Sequence, residues 1–507
     1  MPNKYEVIIG LEIHAQLNTK SKMFCGCDNN AEGKAPNSVT CPVCMGMPGV
    51  LPVINKKALE WTFLLGLALD SQIAEQFNFE RKQYFYPDLP KGYQITSQTT
   101  PPLIGGFLDL EVGESRGTTS GSTPRSDLGS GIKHFTIEHV HLEEDAGKLI
   151  HAGDHSLVDL NRAGTPLLEI VTNPDFRSSA EAKKFMQELQ IILRYLKISS
   201  ADMEKGHLRC DANISLRPAG QKELGKKVEI KNMNSFSSLE RASEYEIKRQ
   251  TEMLDKGEII EQETRGWDDA KSITVSQRSK EMAHDYRYFP EPDLPPVVPV
   301  KAFKLDELKK QIPELPAQKR EKYQKEFGLG KTEADILVND IDLANYFEEC
   351  ISTVKDAESP RAKQEIKRIA NLILGDVLGY LNANNQSISE FKINEANLWD
   401  LVTKLESGEI SSKIGKEVFM AMAETGGSAD EIIAEKGIKQ VSDTGELEKI
   451  ISEIIVANQV QVEQYRKDVG ANGDSPVLNW FVGQAMKATK GQANPGVVME
   501  VLKKLLG

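Results

Sequence analysis

An α+β fold is predicted for this 507-residue chain, on three observations. Before residue 290, several stretches alternate apolar and polar residues, the period of a half-buried strand. The segment FPEPDLPPVVP (289–299) then packs five prolines into eleven residues, which few regular elements survive. Beyond it the composition turns to Glu, Lys, Ala and Leu, and strand candidates become scarce. So long a chain exceeds one hydrophobic core. The expected division is a strand-rich domain over 1–294, a helical domain over 295–405 and a helical tail domain over 406–507.

The first strand candidate, VIIGLEIHAQL (7–17), puts Val7, Ile9, Leu11, Ile13, Ala15 and Leu17 on one face and Glu12 and His14 on the other. A strand needs neither a carboxylate nor an imidazole to fold. A helical period follows at 56–69, and a second around 178–197 has Ser178 and Ser179 as candidate caps. Between them HFTIEHVHLEE (134–144) runs into Asp145, so Glu143, Glu144 and Asp145 stand in succession at a strand exit. HLRCDANISLR (207–217) repeats the first pattern, with Leu208, Cys210, Ala212, Ile214 and Leu216 opposite Arg209, Asp211 and Asn213. KVEIKNMNSF (227–236) is the last strand candidate of this series. Three strands of one sheet can therefore aim carboxylates at a common point. Such a cluster needs a cation, because like charges at close range disfavour one another's ionisation. Oxygen ligands suit Mg²⁺, whereas His14 fits less well, as an occasional ligand or a supporting group.

The cysteines give a sharper signal. CGC (25–27) and CPVC (41–44) place Cys25, Cys27, Cys41 and Cys44 in two close pairs separated by thirteen residues, the spacing of a closed tetrahedral zinc site. Gly, Asn and Pro surround them, so Zn²⁺ would replace a missing apolar core and serve structure. Two other matches fail on context. GESRG (113–117) resembles a nucleophile elbow at Ser115 but runs into a flexible, Ser- and Gly-rich stretch. GLGKT (328–332) ends like a phosphate-binding loop, yet position 325 is Lys and no apolar strand precedes it.

A net charge of −13 argues against indiscriminate coating of nucleic acid. The last segment reverses the sign locally, with Lys487, Lys490, Lys503 and Lys504 against Glu500 alone. WTFLLGLAL (61–69) is about half a membrane span. The opening MPNKYEVIIG has neither signal-peptide nor transit-peptide character, so the cytoplasm is expected and membrane association is not.

These same stretches carry a resemblance. GLEIHAQL (10–17), YFYPDLPKGYQITSQ (84–98), HLEEDAGK (141–148), VDLNRAGTPLLEI (158–170), GHLRCDANISL (206–216), EIKNMNSF (229–236) and NWFVGQAMKATKGQANP (479–495) make the chain resemble, essentially end to end, the B-subunit family of the tRNA-dependent amidotransferases, GatB. The resemblance implies an antiparallel-sheet cradle holding a kinase and transamidase site, then the helical domain, then a tail that meets the outer corner of tRNA. It implies use of ATP and Mg²⁺ to phosphorylate the side-chain carboxylate of Glu-tRNA(Gln) or Asp-tRNA(Asn). Ammonia from a glutaminase, the A component of the complex, then displaces phosphate, and a small C component completes a heterotrimer. The metal positions it implies are Glu12, His14, Glu143, Glu144 and Asp211. By chemistry and motif position Arg162 and Arg209 are assigned to clamp phosphate or carboxylate, with Lys91 as a further candidate of that kind. A Ser–Lys or Cys–His glutaminase constellation is not found, so ammonia is expected from the partner. The rival expectation is a noncatalytic, zinc-containing tRNA-binding scaffold, whose carboxylate faces would be solvent decoration.

Overall fold

The computed structural model describes residues 4–112, 131–279, 285–352, 354, 359–407, 409–436, 444–468, 475–489, 493 and 495–506. Ser115 and Lys490 lie outside the described residues. Two compact units divide the chain, residues 1–316 and 317–507.

The first unit is built on one large sheet. The ten strands of its main path are β1 Tyr5–Gln16, β2 Glu80–Gln83, β3 Tyr93–Thr96, β4 Ile132–Glu144, β5 Pro166–Thr172, β6 Leu208–Pro218, β7 Val228–Met233, β8 Glu263–Asp268, β9 Ile273–Ser279 and β10 Phe289–Pro290, and three short strands lie off it. The main path runs β9-β8-β7-β6-β1-β5-β4-β3-β2-β10. Neighbours are antiparallel except β7 and β8, which are parallel. β1 is central, paired with β6 from Tyr5 to Ala15 and with β5 from Glu12 to Gln16.

The alternation read in the sequence is what the sheet uses. Ile9, Leu11, Ile13, Ala15 and Leu17 are all buried, as are Leu208, Cys210, Ala212, Ile214 and Leu216. They join a core with Leu59 and Phe63 of helix α1 (Lys56–Ala68), Phe185, Met186 and Leu189 of helix α2 (Ser179–Tyr195) and Leu239 and Ala242 of helix α3 (Phe236–Asp255). α2 starts where the serines predict: the Ser178 hydroxyl caps it by accepting from Glu181 N–H. α3 was not legible, since its buried face mixes Leu239 and Ala242 with Ser243, Glu246 and Gln250, so few apolar residues mark it.

The proline run does not end this unit. The short helices after it, Pro299–Ala302 and Leu305–Lys309, stay in unit one, and Phe303 packs its ring edge-on to Phe63 at 5.3 Å. The described part of the second unit is helical, beginning with Pro316–Lys325. Its last four helices, Thr444–Ala457, Gln459–Asp468, Pro476–Ala488 and Pro495–Leu506, close on a core that includes Leu447, Ile451, Phe481 and Leu502. No helix among the described residues is long and apolar enough to cross a membrane.

Candidate functional site

Strand register, rather than any loop, assembles the polar face. One rung across β6, β1, β5 and β4 reads Arg209, His14, Glu169, His141. The next reads Asp211, Glu12, Val171, His139. Because successive residues of a strand alternate in direction, all these side chains except the apolar Val171 give the face opposite the core a titratable character.

Two acidic clusters result. In the first, one carboxylate oxygen from each of Glu12, Asp211 and Glu229 lies within 4.8 Å of the others. Lys231 supplies a positive charge to two of the three acids, pairing with Asp211 and reaching Glu229 Oε1 at 3.2 Å. Asn213 donates to Glu12 Oε1 at 3.0 Å and Thr264 to Glu229 Oε2 at 2.7 Å, which orients both acids. If this is a cation site, Lys231→Met removes a competitor. Divalent affinity is then expected to rise about tenfold in calorimetric titration; a mere ion-pair network would show no gain.

The second cluster joins His14, Glu143 and Glu169. Glu169 Oε2 lies 3.3 Å from His14 Nε2 and 3.2 Å from His141 Nε2, and Glu143 Oε2 is 3.6 Å from His141. Glu143 Oε2 is buried without a hydrogen bond, an orphaned acceptor of the kind a bound cation would satisfy. Burial opposes charging both histidines, but the Glu169 carboxylate prevails: it lifts His14 above the ordinary range and, with Glu143, carries His141 up to about 9. Burial likewise opposes ionisation of Glu169, and the two imidazoles drive it well below the carboxylate range. His141 is raised from 6.5, so its stabilising charge is fully present below that value and is lost as pH rises through about 9. A divalent ion competes with those protons. Its affinity is therefore expected to climb as pH rises toward about 9 and then level off, checked by Mn²⁺ titration across that interval.

Beside the clusters, Asp145 holds two arginines. It accepts from Arg209 Nη2 and from Gln16 Nε2, each at 2.8 Å, and Arg162 Nε is 3.6 Å away. Burial works against ionising Asp145, and the Arg209 and Arg162 charges more than offset it, so its carboxyl sits below the usual range. Arg162 is also pinned by the Ala146 and Gly147 carbonyls at 2.9 and 2.6 Å. Lys82 is different. Burial opposes its charge and Glu143 and Glu169 raise its pKa, yet among the described residues no carboxylate lies within ion-pairing distance; its ammonium is 5.1 Å from the Tyr286 ring centroid.

Not all the expected residues meet. Glu144 follows Glu143 in the strand and so turns the other way. It pairs with Lys91 and accepts from Ile95 N–H at 3.0 Å, beside a cavity of about 200 Å³ whose lining includes Cys25, Cys44 and Arg81. Glu144 and Lys91 thus stand together, apart from both acidic clusters. The sequence reading also passed over Glu169, Glu229, His141 and Lys82. Glu229 had a signal, being one of two charged residues alternating with Val228 and Ile230. Glu169 had only a weak one, a lone acid in the otherwise apolar strand PLLEIVT.

The four cysteines converge. Their sulfurs lie within 4.8 Å of one another, as a tetrahedral thiolate site requires. The hydrogen bond from Cys25, aided by Cys41 N–H and the Lys22 charge, brings Cys44 down to about 5 against the effect of burial. Burial first, then Cys41, pushes Cys27 up to about 11. One thiol ionises readily and its neighbours hold protons that a metal would release. The donor set is all sulfur in a segment without a helix or strand of its own between Gln16 and Lys56, so it fits structural Zn²⁺.

Residues 7–304 match the family described as the GatB/GatE catalytic domain, and residues 345–506 the GatB domain. The chain is 48% identical to the B subunit of the aspartyl/glutamyl-tRNA(Asn/Gln) amidotransferase of Rippkaea orientalis, over 99% of this chain and 98% of the relative. It is 47% identical to the same protein of Persephonella marina, over 99% and 100% of the two chains. For Caldicellulosiruptor saccharolyticus the identity is 46%, over 99% of each.

Proposed function

The chain belongs to the GatB family of tRNA-dependent amidotransferase B subunits, and from that premise we propose that its sheet face activates a misacylated tRNA. The substrate is Glu on tRNA(Gln), Asp on tRNA(Asn), or both. ATP phosphorylates the side-chain carboxylate, and ammonia from a partner glutaminase expels phosphate to leave the amide. The observation that carries this reading is the pair of acidic clusters held in register on one face of the sheet, flanked by Arg209, Arg162 and Lys82.

A carboxylate resists amidation because oxide is a poor leaving group, and converting it to an acyl phosphate, which leaves as phosphate, removes that obstacle. Phosphoryl transfer asks for alignment and charge neutralisation more than covalent help. Mg²⁺ would supply neutralisation at the two clusters, held by Glu12, Asp211 and Glu229 in one and by His14, Glu143 and Glu169 in the other. The protein's own cations do the rest. Arg209 and Arg162, fixed through Asp145, present guanidinium edges to phosphate oxygens. Lys82, which no carboxylate among the described residues pairs directly and whose pKa Glu143 and Glu169 raise, suits the transferred phosphoryl group. Lys91 and Glu144 serve another part of the reaction, from the side bearing the cavity.

In this reading the protein works in a heterotrimer with the glutaminase and the small third component. Its tail, carrying Lys487, Lys503 and Lys504, meets tRNA through its backbone shape and charge. The four-cysteine site braces the segment after β1. The testing experiment supplies the assembled complex with Glu-tRNA(Gln), labelled ATP and no glutamine. Label is expected on the aminoacyl carboxylate, and adding glutamine should convert it to amide and free phosphate. Tight tRNA binding with no transfer of label would instead favour the scaffold reading.

A further inference from the structure

Lys22 is fully buried. Lysine is almost never found so deep without a paired anion, because an uncompensated buried ion is costly. Its ammonium lies 3.5 Å from the Leu160 carbonyl and 4.0 Å from Cys44 Sγ. Among the described residues no carboxylate reaches it within ion-pairing distance, so the sulfur is its only candidate anion. The other cations bordering the cysteines are already committed, Lys91 to Glu144 and Arg81 to Glu291.

The cysteines present the converse problem. Four thiolates around one divalent ion leave two negative charges in a segment that burial partly shields from water, and that surplus also needs a partner. The packing joins the two needs. Gly164 lies against both, so that a Cβ there would stand 3.5 Å from Cys44 Cβ and 3.5 Å from Lys22 Cδ. Met23 N–H, next in the chain, donates to Gly164 O at 2.7 Å and fixes the lysine's backbone against the same turn.

We propose that Lys22 is the buried counter-ion of the four-cysteine metal centre, holding its Cys44 corner and halving the charge the loaded centre leaves buried. The inference rests on the thiolate site alone and stands or falls independently of phosphoryl transfer. It is tested on the full-length chain loaded with Zn²⁺, by following metal release to a chromophoric chelator. Lys22→Met, of similar length and uncharged, is expected to lose zinc at least about tenfold faster. Thermal unfolding of the same protein with Cys44→Ser, and with both changes, completes a cycle. Lys22→Met should lower the melting temperature in the parent and leave it equal or higher beside Cys44→Ser, where the lysine has lost its anion. Unchanged zinc release, equal shifts in both backgrounds, or a parent chain that binds no zinc would each overturn the proposal. Should Lys22→Met alone fail to fold, the double variant decides: folding there supports the pairing, and failure there marks Lys22 as a packing residue only.

Discussion

Asp211→Ala is expected to lower ATP-dependent amidation by about 10²- to 10³-fold while leaving tRNA affinity within about twofold of the parent. Asp211 faces Glu12 directly across β1 and β6, and with Glu229 it forms a cluster one rung from Arg209. Alanine removes a ligand and also frees Lys231, which then turns to the remaining acids and blocks a cation from both. Fold loss is not the expected cause, because Asp211 lies on the polar side of β6 while Cys210 and Ala212 keep the core. Single-turnover amidation and a tRNA filter-binding curve on the same preparation separate the outcomes. Retained amidation would show that the cluster is decoration.

Glu169→Gln should have a comparable effect through the other cluster. The amide keeps the shape and removes the charge on which both His14 and His141 rely. Divalent affinity is expected to fall about 10- to 100-fold, and amidation should recover in part at high Mg²⁺. The pH dependence should change with it. Without the Glu169 carboxylate the two histidines keep only the weaker support of Glu143, so the rise in cation binding should move to lower pH. Titration of the variant with Mn²⁺ over that range checks both expectations; an unchanged pH profile would place the raised histidine elsewhere.

Strand periodicity made Glu12, His14, Arg209 and Asp211 legible, because an alternating strand declares which residues share a face. Which strands lie side by side is a matter of topology, and alternation says nothing of it. β5 inserts between β1 and β4, and it is this neighbour that brings Glu169 between His14 and His141. Nothing local marks Glu169, since a strand covered on both faces reads as an apolar run with one acid in it. Glu143 and Glu144 show the reverse difficulty. They look like a pair in the sequence and point to opposite faces in the sheet, so Glu144 joins Lys91 instead. The cysteines were legible in full, since short ligand spacing within a loop confines all four sulfurs to one place.

Crystals of the complex soaked in Mn²⁺ with a non-hydrolysable ATP analogue test the central claim most directly. Anomalous density is expected at two places on the sheet face, one among Glu12, Asp211 and Glu229 and one among His14, Glu143 and Glu169, with analogue phosphates between them and Arg209. Density at neither place, with Lys231 still seated on Asp211 and His141 still on Glu169, would contradict it.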